Sequence, residues 1–186
     1  MHGQPPVIIE PYNSTWPAKF EAEKASLLSV LSPWLAGSIE HIGSTAVPGL
    51  PAKAVIDIMA AVADLPSSIP AIVALKPLNY CYFPYEENQM HWFCKPSDFV
   101  RTHHLHLIPW NSRLWRDRLA FRDRLRSDEP TRRSYAELKI ELAARYRENR
   151  EAYTEAKTEF IQGILQQIAD SSPHNKPARS RRLSQG

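Results

Sequence analysis

The chain has 186 residues, of which 43% are hydrophobic and 23% charged, values typical of one globular domain. No apolar run approaches the roughly 18 residues that a membrane span needs, and the polar start MHGQPP lacks the apolar core of a signal peptide. Composition therefore excludes a membrane protein, and two cysteines, Cys81 and Cys94, make no disulfide framework. We expect a cytoplasmic protein with reduced thiols.

The net charge of +3 is concentrated at the C-terminal end. Residues 171–186 hold four of the 23 basic side chains and none of the 20 acidic ones, which leaves 19 basic against 20 acidic elsewhere. This near-neutral remainder argues against nucleic acid as a partner. We expect residues 1–170 to form a single domain and residues 171–186, rich in Ser, Pro and Arg, to be a disordered basic tail.

The first half of the chain predicts one helix and two strands around a tight loop. Apolar residues at helical spacing predict a helix over about 14–31. A short strand is expected near 38–42, followed by the loop GSTAVPGLPAK and the strand AVIDIMAAV. The second strand is apolar on both faces except at Asp57, which is typical of a central strand covered on both sides.

The second half of the chain predicts more strands and then only helices. SSIPAIVAL is expected to form one short helix, and YCYFPY, MHWFCK and VRTHHLHLI two or three strands, with a turn at 86–89. From Ser112 onward the spacing is helical, with breaks expected at 128–130 and at Asn149. This order predicts an α+β fold, a mixed sheet with an N-terminal helix and a C-terminal helical hairpin.

The loop before Asp57 has the composition of a phosphate-binding turn. Gly43 lets the backbone approach a ligand closely, Ser44 adds a hydroxyl, and Lys53 can neutralise a phosphate charge. A buried, ionised Asp57 is costly unless something compensates it, and the sequence leaves open whether a bound metal or a structural ion pair does so. Neither a Walker motif nor a dinucleotide-binding fingerprint is present.

This arrangement resembles the nucleotidyltransferase fold of the DNA polymerase beta superfamily. In that superfamily a Gly-Ser pair holds the phosphates of a nucleoside triphosphate, and an Asp-x-Asp on the next strand binds metal ions. Here Gly43-Ser44 is followed by Asp57-Ile58-Met59, so the first acid is in place and Met59 occupies the position of the second.

Four segments together resemble the GrpB family over about residues 8–168. They are HIGSTAVPGLPAKAVIDI, RTHHLHLI, FRDRLR and YAELKIELAARYRENREAYTEAKTEFI, and their order and spacing make the resemblance specific. The resemblance implies a nucleotidyltransferase-like fold, which in some bacteria is fused behind dephospho-CoA kinase. It leaves the activity open.

Carried over by position, the resemblance implies a site built from the loop and two strands. The residues expected to bind phosphate or nucleotide are His41, Gly43, Ser44, Thr45, Lys53 and Arg101. The residues expected to be catalytic and to bind a metal, Mg²⁺ or Mn²⁺, are Asp57, His104 and His106. Period-two alternation places His104 and His106 on one face of their strand, and Arg101, His103 and Leu105 on the other.

Two functional classes fit these residues. The first is an enzyme that uses a metal and a nucleoside triphosphate to transfer a nucleotidyl or phosphoryl group to an unknown acceptor. The second is a catalytically silent nucleotide-binding or chaperone-like module that regulates a protein partner such as dephospho-CoA kinase. Met59 in place of a second acid argues against ordinary two-metal transfer. Trp92 and Tyr85 are candidates for stacking against a base.

Two further patterns have structural alternatives. His91 and Cys94, three residues apart, could form a zinc site with His104, but their apolar surroundings favour core packing. In FRDRLR, the charged residues Arg122, Asp123 and Arg126 lie on adjacent helical turns, where they can brace one another or face the cleft.

Overall fold

A computed structural model describes residues 5–171 of the chain. The predicted disordered tail therefore lies outside the described residues, apart from Ser171. Among the helices of residues 5–171, none combines the length and the apolar character that crossing a membrane requires.

The described chain contains seven α-helices and five strands. The helices are α1 (Trp16–Leu31), α2 (Leu65–Ser68), α3 (Ala71–Ala74), α4 (Arg113–Ser127), α5 (Glu129–Arg145), α6 (Arg150–Glu155) and α7 (Thr158–Ser171). The strands are β1 (Leu35–Ile42), β2 (Ile56–Val62), β3 (Cys81–Phe83), β4 (His91–Pro96) and β5 (Arg101–Pro109). Short 3₁₀ turns span Ser44–Ala46 and Lys76–Leu78.

The five strands form one mixed sheet in the order β1-β2-β5-β4-β3. β2 and β5 run parallel at its centre, and the other neighbouring pairs are antiparallel. The connection from β2 to β5 includes α2, α3, the edge strand β3 and its neighbour β4, so residues distant in sequence meet on adjacent central strands. The sheet, with a helix before it and helices after it, confirms the predicted α+β class.

Both faces of β2 are covered, as its composition predicts. Ile56 and Ile58 face a core that includes Leu27 of α1, whereas Met59 packs with Trp115 of α4 on the opposite face. The C-terminal helices add a further layer. There Tyr135 of α5 joins a cluster with apolar residues of the loop after β1, so these helices lie over that loop.

Three predicted elements have different boundaries in the structure. β1 begins at Leu35 rather than near residue 38. SSIPAIVAL forms two single-turn helices, with Pro70 at the N-cap of the second, because proline has no N–H with which to continue the first. β3 ends at Phe83 because Pro84 follows it. The predicted break at Asn149 is confirmed, since its side chain caps α6 by accepting a hydrogen bond from the Ala152 N–H.

A buried ion pair fixes α1 to the sheet on the side away from α4. The Lys95 ammonium donates to both carboxylate oxygens of Glu23 at 2.7 and 2.8 Å, and the Tyr80 hydroxyl donates to the same carboxylate at 3.0 Å. The Glu23 side chain is only 9% exposed. Because every charged group in this cluster has a partner, we interpret it as a structural anchor.

We predict that Glu23→Ala lowers the free energy of unfolding by about 3–5 kcal/mol, because it leaves the Lys95 ammonium without its partner. Urea denaturation followed by circular dichroism measures the change. Glu21→Ala, at an exposed position of the same helix, is the control and should change the value by no more than about 0.5 kcal/mol. Equal losses in the two variants would contradict the anchor role.

Candidate functional site

The centre of the candidate site is a hydrogen bond between two neighbouring strands. Asp57 of β2 lies in register with His104 of β5, and the His104 Nδ1 atom is 2.8 Å from Asp57 Oδ1. The Asp57 and His104 side chains are 28% and 15% exposed, respectively. An ionised carboxylate can only accept, so Nδ1 carries the proton and donates it to Asp57. The sequence left open which group compensates the buried charge of Asp57, and in the structure His104 does so through this hydrogen bond.

This hydrogen bond leaves the second ring nitrogen of His104 available. In the neutral ring, Nε2 then holds a lone pair, and it is buried with no hydrogen-bond partner among the described residues. A histidine oriented by a carboxylate, with the other nitrogen free, is the arrangement of a general base. Because Nε2 is buried in the free protein, a hydroxyl group would reach it only after the atoms that cover it move.

Gly43 makes the close contact with the other side of Asp57. Its φ of 69° and ψ of −171° lie in a region that is essentially restricted to glycine. A side-chain carbon at this position would overlap the Asp57 Oδ2 atom. Gly43 was predicted to let a ligand approach the backbone. In the structure its missing side chain makes room for the Asp57 carboxylate against the loop.

The predicted phosphate loop divides into a part that faces the site and a part that turns inward. Ser44 is partly exposed and faces the phenol of Tyr135. Thr45, in contrast, is buried. Its hydroxyl donates to the Val55 carbonyl at 3.1 Å and lies 3.0 Å from His41 Nε2. The Thr45 side chain is therefore directed away from any phosphate on the loop, contrary to the expectation that it would bind one.

His41 orients the loop from behind. Its ring stacks on Phe20 with centroids 4.7 Å apart, and its Nε2–H donates to Thr45, whose own proton is used by Val55. Burial lowers the pKa of His41 to about 4 despite the opposing charge of Asp57, so the ring is neutral at neutral pH. His41 is consequently a positioning residue for the loop.

A hydrogen bond and a nearby cation stabilise the ionised form of Asp57. Burial acts to raise the pKa of this carboxyl, but the hydrogen bond that His104 donates and the positive charge of Lys53 outweigh burial. The pKa of Asp57 is therefore held well below its usual range, and the group is ionised at any physiological pH.

Three lysines cluster beside the loop. The Lys53 and Lys157 ammonium groups lie 5.1 and 4.2 Å from the centroid of the Tyr153 ring, and that of Lys139 lies 5.1 Å from the centroid of the Tyr135 ring. Burial first, and the neighbouring lysines second, lower the pKa of Lys139 and of Lys157 to about 7. Burial also lowers the pKa of Lys53.

These lysines have few polar partners. Lys139 donates to the Pro51 carbonyl. Within residues 5–171, no carboxylate forms an ion pair with Lys53 or Lys157. The mutual repulsion that lowers their pKa values is therefore uncompensated, except by the single charge of Asp57.

His106 lies on the same face of the sheet as His104 but does not contact Asp57. Its Nδ1 atom is 3.3 Å from the Met90 sulfur, and the side chain is buried. Burial first, and the nearby guanidinium of Arg118 second, lower the pKa of His106 well below its ordinary value. The structure thus places this predicted catalytic residue beside the site, as a neutral group packed in the core.

Arg101 lies on the face of the sheet opposite to the one predicted. Lys95 is opposite His103 and Pro96 is opposite Arg101, so the register of β4 and β5 shifts between these pairs. This irregularity reverses the simple alternation. Arg101 consequently lies over the Trp92 ring, 5.1 Å from its centroid. The Trp92 ring also contacts the His104 ring.

Of the two aromatic candidates for base stacking, Trp92 is already in contact with other side chains, whereas Tyr85 is 54% exposed. Trp92 contacts Phe83, Tyr85, His104 and Arg101.

The alternative zinc site of His91, Cys94 and His104 does not form. The His91 Nε2 atom lies 3.0 Å from the Leu65 carbonyl, on the opposite side of the sheet from His104.

FRDRLR braces the loop from α4. Arg122 donates to the Glu40 carboxylate at 2.8 Å and to the His41 carbonyl at 3.1 Å, and Arg126 donates to the Ala46 carbonyl at 2.9 Å. The structural interpretation of this motif is thus supported.

A cavity of about 260 Å³ lies beside Arg122, Arg126 and His41. Asp57 does not line this cavity.

The residues present do not fit a metal ion held by the protein alone. Among residues 5–171 no group of three or more His, Cys, Asp or Glu side chains has the arrangement of a metal site. Asp57 is a single carboxylate, Met59 is buried beside it in the sheet, and His106 is directed towards Met90. The surrounding ammonium and guanidinium groups also repel a cation.

Sequence reasoning missed the contribution of the C-terminal helices, namely Tyr135, Lys139, Tyr153 and Lys157. One signal was present. Tyr135, Lys139 and Leu142 recur at intervals of four and three residues on the buried side of α5, so a lysine occupies an apolar stripe. No acid stands three or four positions from Lys139, where it could pair on the same face of the helix, and an unpaired lysine is almost never fully buried.

We predict that Gly43→Ala destabilises the protein more than Gly49→Ala. Both glycines have positive φ, 69° and 77°, but only at residue 43 does a side-chain carbon meet Asp57, whereas nothing lies within 4 Å at residue 49. The backbone strain of about 1–2 kcal/mol is common to both. The excess loss in Gly43→Ala, measured by urea denaturation, reports the displacement of Asp57, and equal losses would contradict the contact.

Comparison with known proteins gives a consistent result. The sequence profile of the family described as GrpB protein matches residues 6–167. A UPF0157 protein of Pseudomonas aeruginosa is 40% identical over 172 residues, covering 88% of this chain and 68% of that protein. The glutamate-rich protein GrpB of Alkalihalophilus pseudofirmus is 28% identical, with coverage of 87% and 95%.

A solved structure agrees with the sequence relatives. The crystal structure of the conserved protein GrpB from Enterococcus faecalis superimposes with a TM-score of 0.76 at 29% identity, covering 86% of this chain and 96% of that one. The profile match spans most of the chain, and a relative above 30% identity covers it almost as fully. The chain belongs to the GrpB family.

Proposed function

We propose that this protein binds the phosphate groups of a nucleoside triphosphate between the Gly43–Ser44 loop and the lysines of the C-terminal helices. The observation that carries the proposal is the absence, within residues 5–171, of any acidic ion-pair partner for Lys53 and Lys157, although both lie in the field of Asp57. Cations held together in this way gain most from an anion that bridges them.

The neighbouring groups favour phosphate over other anions. Ser44 adds a partly exposed hydroxyl on a turn that follows a glycine, a combination that suits phosphate oxygens. Several ammonium groups match the several charges of a polyphosphate chain. Mg²⁺ or Mn²⁺ would enter with those phosphates, and Asp57 is the carboxylate available to contact it.

The Asp57–His104 pair supports transfer chemistry as an extension of binding. A hydroxyl of the acceptor would give its proton to His104 Nε2 while its oxygen forms a bond to phosphorus. The bond from phosphorus to the leaving phosphate oxygen breaks, and the leaving group keeps the electron pair. Asp57 holds the imidazole in the correct tautomer and stabilises the imidazolium that forms.

A second candidate is a nucleotide-binding module without catalysis that regulates a protein partner, as the fusions to dephospho-CoA kinase suggest. Met59 at the position of the second acid, with the lack of a metal-binding group in residues 5–171, favours it. The two candidates share the binding step and differ only in turnover. Nucleotide binding without any product in the presence of candidate acceptors would support the second.

We predict that nucleoside triphosphates raise the melting temperature of the protein and that Lys157→Met abolishes this shift. A ligand at a hundred times its dissociation constant stabilises a protein by about 2.7 kcal/mol. Differential scanning fluorimetry with a panel of nucleotides, with and without Mg²⁺ and Mn²⁺, measures the effect. The exposed Lys76→Met is the matched control and should retain the full shift. A shift that survives in Lys157→Met would contradict the proposed location.

We also predict that nucleotide binding takes up protons. In the free protein Lys139 and Lys157, with pKa values of about 7, are largely uncharged near pH 8, an assay condition chosen about one unit above those values. A bound anion raises these pKa values and so draws protons from the buffer.

Calorimetric titrations in buffers of different ionisation enthalpy give the number of protons transferred. Uptake should be greatest above pH 7 and should fall in acid, where the lysines are already charged. Lys157→Met should reduce it more than Lys76→Met does. Proton release, or an enthalpy independent of the buffer, would contradict the prediction.

A further inference from the structure

Arg150 on α6 is a cation for which the described part of the chain provides no hydrogen-bond or ion-pair partner. Its Nη1 atom is buried and unpaired, and none of the ion pairs within residues 5–171 includes it. Leaving a guanidinium N–H buried and unpaired costs free energy, and arginines with a purely structural role normally have an acceptor. The position therefore indicates an acceptor that is not part of the described protein.

The surroundings of Arg150 strengthen this indication. Arg101 lies close enough to disfavour its charge, and burial together with Arg101 lowers the pKa of Arg150. Asp98 is the nearby acid, but its carboxylate already pairs with Arg101. Arg101 is itself held over the Trp92 ring, with its side chain only 15% exposed. Arg101 therefore uses the one nearby carboxylate, and Arg150 is in the electrostatic range of Asp98 without an ion pair to it.

Arg150 also lies close to the part of the sheet that carries the Asp57–His104 pair. Cys94 is the register neighbour of His104, and its thiol is in the electrostatic range of both arginines. The charges of Asp57, Arg150 and Arg101 all act on Lys53. Lys53 is therefore near both the Asp57 site and the two arginines. The second unpaired buried atom in this region is His104 Nε2.

We infer that Arg150 and Arg101 form a second oxyanion subsite, which binds a phosphate or carboxylate group separate from the one on the Ser44 loop. Guanidinium groups bind such planar or tetrahedral oxyanions through paired N–H donors, whereas lysines act as point charges. The inference rests on the proposed function and extends it. The natural ligands carry two separated anionic groups, one at the lysines and one at the arginines, with His104 Nε2 between them.

The experiment uses the full chain and titrates it with inorganic phosphate at constant ionic strength in an isothermal calorimeter. We expect two classes of phosphate site in the wild type. Arg150→Met should weaken one class by about tenfold or more and leave the other intact. The matched control is Arg147→Met, at a side chain that is 64% exposed and only three positions away, and it should retain both classes.

Two further variants separate this inference from the proposed function. Arg101→Met should weaken the same class as Arg150→Met, which keeps the test decisive where one variant folds poorly. Lys157→Met should weaken the other class and the nucleotide-dependent thermal shift. If Lys157→Met changes neither of these while Arg150→Met still weakens its class, the proposed function is overturned and the arginine subsite stands.

The melting temperature without ligand is the second readout. Arg150→Met should match or exceed the wild type, because it removes a guanidinium whose buried Nη1 atom has no partner among residues 5–171. The inference is overturned by an Arg150→Met variant that retains every phosphate class of the wild type, or by a wild type that binds no phosphate. A titration with succinate distinguishes the two sources of oxyanion, since a subsite for carboxylates responds to it in the wild type and not in Arg150→Met.

Discussion

The position of one carboxylate, Asp57, determines the rest of the site. Its Oδ1 atom accepts a hydrogen bond from His104, and its other oxygen lies where only a glycine leaves room, at Gly43. The same charge is the acid that offsets Lys53 and Lys157. Because one negative charge cannot neutralise all the basic groups around it, burial and the mutual repulsion of the lysines lower the pKa of Lys139 and of Lys157 to about 7.

The fold produces this excess by bringing together segments that are far apart in the chain. The sheet supplies the acid and the histidine on adjacent parallel strands, and the C-terminal helices place Lys139 and Lys157 above the loop. Each buried cation without an acid lowers the stability of the free protein. The Glu23–Lys95 anchor on the other face differs, because its cation is paired with an acid.

Sequence patterns predicted the part of this site that depends on local structure. Alternation along a strand placed His104 with His106, and the resemblance to the GrpB family grouped His104 with Asp57 and Gly43, which the structure brings together. They could not place Arg101, because the shift in register that reverses its direction depends on the pairing of β5 with β4. They also missed Lys157, because its contact with the site depends on how the last helices pack over the loop.

The balance of charge distinguishes this site from an ordinary two-metal centre. There, several carboxylates hold the metal ions, and the metals in turn neutralise the phosphates. Here one carboxylate lies in the field of Lys53 and Lys157, and the residue two positions after it is the buried, uncharged Met59. Fixed protein cations can supply the same neutralisation that metals supply elsewhere. The affinity of such a site for phosphates would therefore depend on the protonation of its lysines at least as strongly as on divalent metal.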